Sequence, residues 1–135
     1  MLAGPGEVAS VTDMTPDALV EFCLSLPQAT ETFPFGDEIS VFKTSGNGKI
    51  FALSALAGDP FSVSLKCDPE EGRALREEFP GHIHPGYHLN KKHWITIVLD
   101  GFVEDELVEQ LLRDSHALVR PKGPKAPRAP LDSAE

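Results

Sequence analysis

The chain has 135 residues, 41% of them hydrophobic and 24% charged, with a formal net charge of −9. This fits one globular domain able to bury an ordinary core. It excludes a spanning helix, which needs roughly 20 apolar residues in a row, and its two cysteines exclude a disulfide scaffold.

Charge is shared unevenly. Residues 1–119 hold 8 Lys+Arg against 19 Asp+Glu, whereas residues 120–135 hold 4 against 2. A body this acidic repels phosphate at long range, so any nucleic-acid reading must rest on a local patch.

Residues 1–13 read as a flexible leader, with Met14 as an alternative start. The leader has no basic segment and breaks at Gly4-Pro5-Gly6, so it is not read as a signal peptide, and a cytoplasmic location is expected by default. Thr15-Pro16 supplies a helix cap with proline at the first helical position. Leu19, Phe22, Cys23 and Leu26 then recur at helical spacing until Pro27.

Strands follow. ISVFKT and KIFALSAL flank Ser45-Gly46-Asn47-Gly48, a hairpin signal, and TETFPFG before them reads as a short edge strand. Gly58-Asp59-Pro60 turns into FSVSLK, where Phe61, Val63 and Leu65 alternate with Ser62, Ser64 and Lys66. Asp68-Pro69 caps a second helix with Gly72, Leu75 and Phe79 on its inner stripe. A loop through Pro85-Gly86 leads to a strand near His93–Leu99, closed by Asp100-Gly101. A third helix, near Glu104–Leu118, buries Leu107, Val108, Leu111 and Leu112. Residues 14–119 thus form one domain, and the Pro- and Lys-rich residues 120–135 read as a disordered basic tail. The fold class is α+β: a mainly antiparallel sheet with the helices on one face and the other face open.

Four of the five histidines lie in HIHPGYHLNKKHW, at positions 82, 84, 88 and 93. Imidazoles this close in sequence suggest a metal. Their spacing matches no helical ligand pair, and a Pro-Gly break divides the loop, so no metal site is assigned. Asp13, Asp17 and Glu21 form an acidic ridge on the first helix, read as a solvated face near the helix's positive end. Cys23 is core. Cys67 precedes a helix N-terminus that lowers a thiol pKa, yet it has no partner base and reads as inert.

Strand parity is more informative. With Ile95, Ile97 and Leu99 toward the helices, Trp94, Thr96 and Val98 point to the open face, alongside Lys66 and Lys92. A tryptophan between lysines can stack a base while they neutralise phosphate; equally, it can cap a secondary core under a loop. No nucleophile elbow, phosphate loop, dinucleotide fingerprint or paired carboxylates stand out, so no catalytic residue and no cofactor is expected.

SLKCDPEEGRALREEFPG followed by PGYHLNKKHWITIVLDG resembles the MmcQ/YjbR family of small bacterial proteins, with HLNKKHW the most specific part. The resemblance implies a CyaY-like (frataxin-like) fold, compared with a double-winged arrangement, and a DNA-binding role without catalytic residues. The expected function is therefore a noncatalytic binding module with DNA as partner. Its contacts would be Lys66, His88, Asn90, Lys91, Lys92 and Trp94. The lysines would neutralise phosphates, Asn90 would meet a base edge or hold the loop, and Trp94 would stack. The alternative is a protein-interaction or small-ligand or metal module, whose acidic helices, through residues such as Glu104, Asp105 and Glu109, meet a basic partner.

Overall fold

The structure, a computed structural model, describes residues 14–86 and 89–120. The expected leader, Asp13, His88 and the tail beyond Arg120 lie outside the described residues.

Helix α1 spans Pro16–Ser25, and Thr15 caps it by accepting the Ala18 N–H at 3.1 Å. Strands β1 (Ala29–Thr32), β2 (Ser40–Thr44), β3 (Ile50–Ser54) and β4 (Ser62–Lys66) form a meander. Helix α2 (Pro69–Glu78) starts at Asp68, whose carboxylate accepts the Glu70 and Glu71 N–H groups. Strand β5 (Ile83–Pro85), strand β6 (Trp94–Val98) and helix α3 (Asp105–Val119) complete the domain. One antiparallel sheet results, in the order β1-β2-β3-β4-β6-β5.

Phe42, Ala52, Leu65 and Ile95 stand opposite one another across β2, β3, β4 and β6, and Val63 and Ile97 continue their face. They pack in one cluster with Leu19 and Cys23 of α1, Leu75 of α2 and Val108, Leu111 and Leu112 of α3. The helices thus cover a single face, as the alternation of FSVSLK requires. Gly72 lets α2 sit close to the sheet, since a methyl group there would lie 3.3 Å from the Ile95 side chain.

Two features depart from the sequence reading. Residues 83–85, expected within a loop, pair with β6 as an edge strand, where Pro85 is tolerated because its missing N–H faces no ladder. The second is a bulge. Phe42 pairs with Ala52 but Lys43 pairs with Ile50, which leaves Phe51 as an extra residue. Phe51 turns into the core against Phe42 and meets His116 edge-on, with ring centroids 5.2 Å apart.

Helix α3 repairs the disturbed ladder. The Ser115 hydroxyl donates to the Phe51 carbonyl at 2.6 Å and accepts the Lys66 N–H at 2.9 Å. It thereby bridges β3 and β4, which share only two residue pairs. Beside it, buried His116 places Nε2 2.7 Å from the Pro27 carbonyl. A carbonyl only accepts, so that nitrogen carries the proton.

The β2–β3 turn is tied to the far end of α3. Asn47 Nδ2 donates to the Val119 carbonyl at 2.8 Å, while its Oδ1 accepts the Lys49 N–H at 3.1 Å and the Thr44 hydroxyl. Asn47→Ala removes all three bonds and is expected to cost about 1–2 kcal/mol, because Asn47 is exposed and water replaces part of the loss. Urea unfolding measures this. A change below about 0.5 kcal/mol would show that solvent replaces these bonds fully.

Candidate binding surface

The helix-free face is built from the other parity of the same strands, and Val41, Ser64 and Thr96 on it are buried rather than open to solvent. Val41, Leu53, Ser64, Thr96 and His84 stand in line across β2, β3, β4, β6 and β5. The Ser64 and Thr96 hydroxyls are 2.8 Å apart at the centre. At one end of this face Lys66 pairs with Trp94, its Nζ 5.5 Å from the ring centroid, a cation–π contact. At the other end Ser62 pairs with Val98. Phe35 and Ile39 from the β1–β2 loop, Pro60 from the β3–β4 turn, and Leu89 and Lys91 from the β5–β6 loop rise around the face. They enclose a groove of about 960 Å3.

The β5–β6 loop is held by its own side chains. The Gly86 N–H donates to the Trp94 carbonyl at 2.8 Å, and the Lys91 ammonium returns to the Gly86 carbonyl at 3.1 Å. Asn90 Oδ1 accepts the Lys92 N–H at 2.9 Å, and its carbonyl accepts the His93 and Trp94 N–H groups. Of the two roles expected of Asn90, the geometry fills that of holding the loop.

The loop carries Lys91 and Lys92 to the start of α2, where they line a shallow depression of about 190 Å3 with Arg73, Arg76, Pro69 and Glu70. Four cations against one carboxylate make this a locally basic spot on an acidic chain. The sequence reading missed Arg73 and Arg76. Their spacing of three places them on one helix face, but only the folded loop brings Lys91 and Lys92 opposite.

The candidate residues thus fall into two neighbouring groups, Lys66 with Trp94 and Lys91 with Lys92, and Asn90 supports the second. His88 lies outside the described residues. The other histidines disperse. His84 lines the groove, His93 is exposed, and His82 stacks on Phe102 with ring centroids 4.0 Å apart, its Nδ1 3.1 Å from an Asp100 carboxylate oxygen. Among the described residues, no group of three or more His, Cys, Asp or Glu is placed to hold a metal ion. Asp17 and Glu21 are exposed on α1.

Cys67, read as inert although it precedes a helix N-terminus, has its thiol pushed by burial up to about 11, with Glu71 adding and Arg76 opposing. Cys23 is likewise raised to about 12, first by burial and then by Glu31. Both thiols stay protonated and unreactive at neutral pH.

Residues 24–118 match the family model YjbR. The chain belongs to the YjbR family. Within it, this member is 43% identical over 97 residues to the uncharacterised protein YbdF of Escherichia coli O157:H7, covering 71% of this chain and 76% of that one. It is 30% identical to the uncharacterised protein YjbR of Escherichia coli K12, over 76% of this chain and 85% of the relative. The crystal structure of Deinococcus radiodurans protein DR2400, a DUF419 domain, superposes with a TM-score of 0.76 at 47% identity, covering 86% of this chain and 84% of that one. A Pseudomonas syringae protein superposes at 0.67 and 30% identity, over 77% and 97% of the two chains. The described residues of this YjbR-family chain thus form an α+β arrangement of one antiparallel sheet and three helices. Among the described residues, no helix is long and apolar enough to cross a membrane.

Proposed function

We propose that this YjbR-family protein is a noncatalytic binding module for single-stranded nucleic acid, acting through the basic end of its open sheet face. The observation that supports this reading is the convergence of Arg73, Arg76, Lys91 and Lys92 on one depression, next in the fold to the Lys66–Trp94 pair. Clustered cations attract a phosphate backbone even where the rest of the body repels it. Lys66 already occupies the tryptophan face at a gain of about 0.5–1 kcal/mol. A base stacking there gains about 1–3 kcal/mol. The base therefore displaces the ammonium, which swings out to a phosphate.

Fluorescence anisotropy with labelled single-stranded and duplex DNA tests this. The four cations of the depression and Lys66 make five phosphate contacts, which give a logarithmic salt slope of about −3.5 on a single strand, so affinity falls about a hundredfold between roughly 50 and 200 mM salt. Lys91→Ala with Lys92→Ala should flatten that slope by about 1.4. No binding at low salt, or binding indifferent to the double variant, removes the proposal. Tighter binding to duplex than to single strand removes the stacking role of Trp94.

A further inference from the structure

We propose that the groove on the helix-free sheet face is a second binding site, sharing Lys91 with the basic depression, for a small amphipathic anion, an apolar chain or ring system carrying one carboxylate. Its volume of about 960 Å3 lies in the range of small-molecule pockets. Its walls are mostly apolar, through Phe35, Ile39, Leu53, Leu89 and Val98, and the Ser64–Thr96 hydroxyl pair marks its floor. Phe35 stands 63% exposed at the rim, an apolar ring left in water when the groove is empty.

Charge assigns the ligand's orientation. Among the described residues, Lys91 is the one lysine or arginine in the lining, which also includes His84. One Lys91 N–H is committed to the Gly86 carbonyl, and an ammonium has three to give. The carboxylate of the lining, Asp59, belongs to the turn that enters β4 at Ser62. Lys91 lies toward the opposite end, where Lys66 meets Trp94. The strand between those ends runs about 13 Å. An anion is therefore drawn to the Lys91 end, and its apolar body extends along Leu53 and Val98. A nucleic-acid backbone, which needs several cations, finds only one here.

Titration of the full-length protein with decanoate, and separately with decanol, followed by amide NMR shifts, decides the point. No nucleic acid is present, so the outcome is independent of the nucleic-acid reading. Decanoate should give saturable shifts at Leu53, Thr96 and Val98, with intermolecular NOEs from its methylenes to the Leu53 and Val98 methyls. Lys91→Met should weaken decanoate about three- to fivefold and leave decanol unchanged, the scale of an exposed ion pair. Val98→Trp, whose larger ring occupies the part of the groove beside Leu53, should weaken both. Absence of saturable shifts and NOEs in the wild-type protein sinks the proposal whether or not that variant folds. Equal response of both ligands to Lys91→Met sinks the assignment of an anion. Dimerisation that covers the same residues would show that a second copy, not a small molecule, fills the groove.

Discussion

Replacing Ser115 by alanine is expected to cost about 2–4 kcal/mol of folding stability, although it removes one oxygen atom from a helix. That oxygen serves the Phe51 carbonyl and the Lys66 N–H, and Ser115 itself is 0% exposed. Each backbone group left buried without a partner costs about 1–3 kcal/mol, and little solvent reaches the site to replace it. Equilibrium unfolding in urea gives the number directly. A neighbouring change on the exposed side of the same helix, Ala117→Ser, should move stability by less than about 0.5 kcal/mol. Should Ser115→Ala also cost under about 1 kcal/mol, water and not the Ser115 hydroxyl would satisfy the bulge at Phe51.

Gly86→Ala should disturb the binding surface and the fold together. A methyl group at this position would lie 2.5 Å from Trp94 Cβ and 3.1 Å from its carbonyl carbon and oxygen. Neither partner can yield cheaply, because one contact is backbone and Trp94 is fixed in β6. Separating the chains breaks the Gly86 N–H bond to Trp94 and withdraws the carbonyl that holds Lys91. Overpacking plus one broken hydrogen bond is expected to cost about 2–4 kcal/mol. Trp94, the chain's only tryptophan, reports the change locally. Its emission should shift to the red, and the midpoint of thermal unfolding should fall. An unchanged emission maximum with unchanged stability would show that the loop is not seated against β6.

Much of this architecture can be read from local sequence signals. Thr15-Pro16 and Asp68-Pro69 cap the helices they were expected to cap, because the cap bonds form within three residues. The alternation in FSVSLK and WITIV places Lys66 and Trp94 on one face, because strand parity survives folding. Long-range partners leave weaker marks. KIFALSAL reads as a regular strand, yet the bulge puts both Phe51 and Ala52 in the core. Ser115 and His116 look like surface residues of a helix; their burial is stabilised by carbonyls 64 and 89 residues away. The three-residue β5 is too short to show a period, and its proline argues against a strand. The candidate site divides in the same way. Lys66 and Trp94 were legible, whereas Arg73, Arg76 and the groove depend on loops that only tertiary structure brings together.

The strand order has a kinetic consequence. Strands β1 to β4 close through short local connections, but the β4–β6 pairing joins Ser64 to Thr96 across 32 residues. Closing so long a loop costs more entropy than closing the short turns of the meander. Lys66 and Trp94 meet only across that join, and the groove floor lies on it as well. Neither surface therefore exists until that closure is made. Whatever binds there acts as a latch between β4 and β6, and slows their parting.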